Sequence, residues 1–324
     1  MKFNLIVGNP PYQLMDGGGT GSSAIPIYNR FVDLAKKISP NYISMIMPAK
    51  WYTGGKGLDD FRNDMLHDKR LSHIVDFDDS RDCFPTVDIA GGVCYFAWDK
   101  NYKGKCLFEN YAKGRKVPLY RDLDDSENFI RNNRAVSIIS KVREKTTDYL
   151  NSQVLSRKPF GIESFVLGKE DQFENSVRML SSKGWRYIDL DKVTANRSII
   201  NKFKVMMSKT SAEHAGQSDS SGRKKVISRI GILKPGEICT ESYLVIGSYD
   251  DEQEALNMVS YMKTCFVRFL LGSILLTQNI AKDKFSLIPL QDFTHSWSDA
   301  DLYAKYGLTD EEIKFIESTI KPMK

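Results

Sequence analysis

Asn9-Pro10-Pro11-Tyr12 directly follows the apolar run Phe3-Asn4-Leu5-Ile6-Val7-Gly8. The two prolines hold φ at about −65° and remove two backbone donors, so the Asn9 side chain and the Pro10 carbonyl become acceptors on one stiff path. An exocyclic amino group has two hydrogens, and two fixed acceptors can take both while Tyr12 stacks on the attached ring. Strands buried in a parallel sheet read as short apolar runs, and ligands of open α/β sheets sit just beyond the strands' carboxyl ends. The tetrapeptide is therefore expected at the end of a buried strand, where it would grip an amino-bearing ring. Taken alone, the same four residues also read as a rigid turn.

The elements that must position this tetrapeptide follow in a definite order. A helix is expected from Ser23 to about Lys37, then a strand Ile43-Ser44-Met45-Ile46-Met47-Pro48, then Trp51 and Gly54-Gly55-Lys56-Gly57-Leu58. An Arg-bearing helix, Leu58-Asp59-Asp60-Phe61-Arg62, leads to the strand His73-Ile74-Val75-Asp76-Phe77. Beyond it stand Cys83-Phe84-Pro85-Thr86-Val87-Asp88-Ile89 and a run from Gly91 to Phe96.

In this order the segments resemble the second half of the catalytic domain of N6-adenine DNA methyltransferases from restriction-modification systems, of the type IIG-like group with an Asn-Pro-Pro-Tyr motif. The resemblance implies that Asn9, Pro10, Pro11 and Tyr12 are catalytic. It also implies that Phe84 packs on the face of a flipped adenine opposite Tyr12; on composition alone, a Phe before a Pro near a strand reads as core. The implied cofactor is S-adenosylmethionine. Its main binding motif, a glycine-rich turn after the first strand with an acidic residue about a strand later, is not visible. The glycine-rich stretch from Asp16 to Ser22 follows the tetrapeptide and reads as a loop near the base pocket. The chain is accordingly expected to be the C-terminal portion of a longer enzyme, without the N-terminal cofactor-binding half.

The predicted fold class is α/β: a partial Rossmann-like methyltransferase sheet over residues 1–125, a connecting helix over 126–150, and a mixed α/β target-recognition domain over 151–324. Two domains suit 324 residues. Residues 105 to 123 read as a short strand and a loop, while Phe129, Ile130, Val136, Ile138, Ile139 and Val142 recur at helical spacing. Further on, Tyr187–Leu190, Lys204–Met207, Val226–Ser228 and Ser242–Gly247 read as strands. A long helix from Glu252 to about Leu276 is expected to bury Leu256, Val259, Met262, Phe266, Phe269 and Leu270. Ser298 and Thr309 mark two further helix starts, the second with a capping box.

Charge is concentrated in the second half. Between Asn196 and Pro235 nine basic residues face two acidic ones, a window of +7 within a chain of net charge +5. Phosphate and base edges call for such residues on a polar loop, and Arg223, Lys224, Lys225, Arg229, Lys282 and Lys284 are the expected DNA contacts; a solvated surface is the bland alternative. The implied partners are double-stranded DNA and a separate N-terminal methylase fragment or restriction subunit. The five cysteines and four histidines form no metal-ligand spacing. No long uncharged apolar stretch or signal sequence is read, so a cytoplasmic protein with no membrane association is expected. Two other function classes remain: a DNA-recognition module or inactive methylase fragment, and an enzyme acting on protein glutamine or RNA, which the long C-terminal extension disfavours.

Overall fold

A computed structural model describes residues 3–14, 24–112, 114–124, 129–212, 219, 221–275 and 278–323. It divides into two units, residues 1–136 and 137–324.

In the first unit the chain forms β1 (Leu5–Gly8), β2 (Gln13–Leu14), β3 (Ile25–Pro26), α1 (Tyr28–Ile38), β4 (Tyr42–Pro48), α2 (Asp59–His67), β5 (Leu71–Phe77), β6 (Val93–Asp99), β7 (Cys106–Ala112), β8 (Arg115–Arg121) and α3 (Asn133–Glu144), whose last turns lie beyond residue 136. Six of these strands make one sheet in the order β1-β4-β6-β5-β7-β8. β1 runs parallel to β4, and β5 runs parallel to β7. β6 is antiparallel to both β4 and β5, and β7 and β8 form a hairpin. The sheet is thus mixed, and β1, β4, β5 and β7 end on one common rim. Ile43, Met47, Ile74, Phe96 and Phe108 are almost fully enclosed, each side chain of this kind contributing about 1.5–3 kcal/mol by burial. Tyr28, Val32 and Ala35 of α1 and Phe61, Met65 and Leu66 of α2 are the buried positions of those helices.

Three expectations change here. β1 is not a buried strand: among the described residues it pairs only with β4, and Leu5 and Val7 are 54% and 69% exposed. An apolar run is enclosed only when neighbours cover it, and those neighbours are not encoded in the run itself. The helix expected from Ser23 begins at Tyr28, because Ile25 and Pro26 pair with Leu14 and Gln13. Residues 115–121 are a strand instead of a loop; Pro118 is tolerated because β8 lies at the sheet edge.

The second unit contains β9 (Ser176–Ser181), β10 (Gly184–Asp189), β11 (Phe203–Ser208), β12 (Ile230–Leu233), β13 (Glu237–Cys239) and β14 (Tyr243–Tyr249), then α4 (Glu252–Lys263), α5 (Cys265–Ile274), α6 (Asp299–Tyr306) and α7 (Asp310–Thr319). Its sheets are β10-β9-β13 and β12-β11-β14. Val226–Ser228 is not a regular strand; Ile227 makes only an isolated bridge to Ser211. The long helix breaks at Thr264, whose hydroxyl accepts from the Val267 amide, while Asp299 accepts from the amides of Cys265 and Phe266. A new helix start is thereby capped in mid-stripe. The break also changes the buried face: Ala255, Met258, Tyr261 and Met262 are enclosed, whereas Leu256 is exposed. Both tail helices carry capping boxes, Ser298 with Asp301 and Thr309 with Glu312.

Candidate functional site

Gly8 is the last residue of β1 and pairs with Met45, so Asn9 leaves the sheet at the common rim. Asn9 is exposed, Pro10 is buried, Pro11 is exposed and Tyr12 is half-buried. The path then turns back, with Ile27 donating its amide to the Tyr12 carbonyl at 3.1 Å. β2 and β3 extend this junction through Gln13↔Pro26 and Leu14↔Ile25. Tyr12 is therefore tied to the residue that precedes α1.

The environment of the Tyr12 ring links it to a second segment on the rim. Burial raises the Tyr12 phenol above its usual range, helped by the neighbouring Cys83 and Cys94 thiols, so the ring stays neutral at pH 7. Its hydroxyl is enclosed and finds no hydrogen-bond partner among the described residues; neither does that of Tyr28. Burial, with Cys94 as a secondary cause, raises the Tyr28 phenol too. Tyr28 reads in sequence only as the first residue of an amphipathic helix, and no local pattern singles it out.

Cys83 belongs to the connection from β5 to β6, which begins and ends at the same rim. A short 3-10 turn covers Ser80–Asp82, capped by the Asp79 side chain. The Phe84 amide donates to the Ser80 carbonyl at 2.7 Å, and the Val87 amide to the Phe84 carbonyl at 2.9 Å. Phe84 is half-buried, with Pro85 beside it exposed. Trp51, in the 3-10 turn Ala49–Thr53 that follows β4, is fully enclosed and directs its indole N–H at the Cys94 sulfur, 3.3 Å away; it is core.

Among the described residues of this rim, two groups suited to a methyl donor's ribose hydroxyls or carboxylate are already engaged. The Gly55 amide donates to Asp59, and Asp76, the acid near the end of β5, is held by Arg131 and Asn110. Leu5 and Val7 leave an apolar surface beside Asn9. These engaged groups offer a methyl donor no free contact. The glycine-rich stretch from Asp16 to Ser22 lies outside the described residues, apart from which no group of three His, Cys, Asp or Glu side chains could hold a metal among those described.

The six expected DNA contacts all lie in the second unit. Arg223, Lys225, Arg229 and Lys282 are exposed, while Lys224 and Lys284 are half-buried. Asp219 accepts from the Arg223 amide. Lys224 is fixed through its backbone to Thr319 and Lys321, Arg229 reaches the Tyr243 hydroxyl at 3.2 Å, and Lys284 pairs with Asp283. Backbone bonds bring two of the segments near a shared strand end: the Ser208 amide donates to the Arg229 carbonyl, and the Ile280 amide donates to the Lys209 carbonyl. One member of the basic window is not on the surface at all. Lys204 is enclosed within β11, donates to the Ile200 and Lys234 carbonyls, and is pushed down to about 8 by burial, against the pull of Glu237. The loop over 213–218 lies outside the described residues. No helix among the described residues is long and apolar enough to cross a membrane.

Residues 1–84 match the family described as Eco57I restriction-modification methylase. A Mycoplasma pneumoniae protein (strain ATCC 29342 / M129 / Subtype 1) described as an uncharacterized adenine-specific methylase is 38% identical over 146 residues, 44% of this chain and 33% of that protein. The chain thus spans about a third of the length of the curated relative it matches. The type IIL restriction-modification enzyme MmeI, solved in complex with DNA, superposes with a TM-score of 0.41 at 11% identity, over 87% of this chain and 44% of that one. The type IIG restriction endonuclease BpuSI gives 0.37 at 10% identity, over 98% and 54%. Superpositions at these scores decide nothing about the site.

Proposed function

We propose that this chain supplies the base-binding part of a site-specific DNA adenine-N6 methyltransferase of the restriction-modification kind. The observation that carries the reading is the shared rim: Asn9–Tyr12 and the Phe84 loop leave the sheet at the same ends.

Adenine N6 is out of reach inside a duplex, so the target base has to leave the stack. The Asn9 amide oxygen and the Pro10 carbonyl would then accept both N6 hydrogens, which raises electron density on the nitrogen. Tyr12, neutral at pH 7, and Phe84 would hold the ring between them as stacking surfaces. The enclosed Tyr12 hydroxyl supports a polar ligand here, since buried polar atoms without partners are rare. S-adenosylmethionine would supply the electrophilic methyl group, and its pocket is proposed to lie in polypeptide other than the described residues. Positioning is the main contribution of this chain to the rate. Residues 151–324 are proposed as the target-recognition domain, with Arg223, Lys224, Lys225, Arg229, Lys282 and Lys284 on the phosphate side of the contact.

Isothermal titration of the purified chain with duplex DNA, and separately with S-adenosylmethionine, tests the division of labour. The proposal expects saturable, salt-sensitive duplex binding. A chain that binds no duplex at low salt contradicts it.

A further inference from the structure

The connection from β5 to β6 would be a poor platform for a base if it were free to move. Its two feet are instead held by one side chain. Arg131 donates from Nε to Asp76 Oδ2 at 2.7 Å and from Nη2 to Asp76 Oδ1 at 2.9 Å. The same guanidinium donates to the Phe77 carbonyl at 2.9 Å and to the Gly91 carbonyl at 2.8 Å. It therefore bridges the last residues of β5 and the residue two before β6. Asp78, the first residue of the connection, pairs with Nε as well, at 3.0 Å.

The fit around this bridge is tight. Gly92 has φ of +76°, and a Cβ there would stand 2.0 Å from the Phe77 carbonyl oxygen and 2.9 Å from Arg131 Nη2. The two feet thus touch, and only glycine permits it. Asp76 is completely enclosed and takes a third hydrogen bond from Asn110 Nδ2 at 3.0 Å. Within the loop, Ser80 ties the two arms together: its hydroxyl donates to the Val87 carbonyl at 2.8 Å and accepts from the Ile89 amide at 2.7 Å. The Ser80 carbonyl accepts from Cys83 and Phe84. Phe84 hence stands on a loop closed at its base by Arg131 and across its middle by Ser80.

We infer that Arg131, acting through Asp76 and with Ser80, is a positioning residue that presets the Phe84 face of the base pocket. The inference rests on the base-binding reading above. A buried ion pair is poor evidence of stability, because an apolar pair of similar volume often serves as well; what an apolar pair cannot do is hold the Phe77 and Gly91 carbonyls together. Stability and positioning can therefore be separated.

The probe is a short single-stranded oligonucleotide carrying one 2-aminopurine, which lacks the C6 amino group and so reports stacking alone; its fluorescence falls when the base stacks on aromatic rings. Three full-length chains are compared: native, Ser80→Ala, and the double variant Asp76→Leu with Arg131→Met. Thermal melting and amide hydrogen exchange over residues 79–92 are followed alongside. The native chain is expected to quench the probe saturably. Both variants are expected to remain cooperatively folded with lowered melting temperatures, exchange faster over 79–92, and need at least about tenfold more protein for half-quenching, in line with the loss of one stacking face. Unchanged half-quenching in variants that exchange faster would overturn the positioning role while leaving the base-binding reading intact. No quenching by the native chain would overturn the stacking of a base between Tyr12 and Phe84, and the positioning role with it.

Discussion

The Ile27 amide donates to the Tyr12 carbonyl at 3.1 Å, so the residue that precedes α1 fixes the backbone of the proposed stacking tyrosine. The Tyr12 hydroxyl, by contrast, is enclosed without a partner among the described residues. Ring and hydroxyl should therefore respond differently to substitution. Tyr12→Phe removes an unsatisfied polar atom and is expected to melt at or above the native temperature, with most probe quenching retained. Tyr12→Ala is expected to weaken quenching by about 1–3 kcal/mol, the usual worth of one base–aromatic stack. Equal binding by both variants would remove Tyr12 from the base site.

Asp68 carries the clearest pH signature in the first unit. Burial alone would raise its carboxyl, yet hydrogen bonds from Arg70, Lys36 and Trp98 hold it well below the usual carboxylate range. A depressed carboxyl contributes stability above its unfolded pKa of about 4 and loses it as pH falls further. Asp68→Asn is expected to cost about 1–3 kcal/mol at pH 7 through its stranded partners. The gap from native should narrow between pH 4 and pH 2 in urea melts; a constant gap would assign the loss to packing.

Phosphate contact predicts a salt effect. Arg223→Ala and Lys282→Ala are each expected to weaken duplex binding at every sequence tested and to lower the slope of log K against log salt by about 1. Fluorescence anisotropy across a salt series measures this. An unchanged slope in both would return these side chains to the solvated surface.

The sequence disclosed some of this and concealed the rest for physical reasons. Ile43–Pro48 and His73–Phe77 were legible as strands because both are apolar runs that end up enclosed. The exposure of Leu5 and Val7 was not, since an edge strand and a central one share the same composition. The break at Thr264 was hidden because apolar residues continue on both sides of it, and the Asp299 carboxylate that stabilises it is 34 residues from Cys265. Arg131 and Asp76 lie 55 positions apart, beyond any local motif. One signal did stand in the sequence: an acid inside His73-Ile74-Val75-Asp76-Phe77 must find a partner if that strand is buried.

The central claim is that the Asn9 amide receives the target amino group. Asn9 is exposed, so replacing it should change stability by no more than about 0.5 kcal/mol. The most direct measurement is mass-spectrometric N6-methyladenine in DNA from cells carrying the native gene, its deletion, or Asn9→Ala at normal expression. The account predicts that Asn9→Ala loses the modification as fully as the deletion does, with native melting behaviour. Native levels of N6-methyladenine in the Asn9→Ala cells would contradict it.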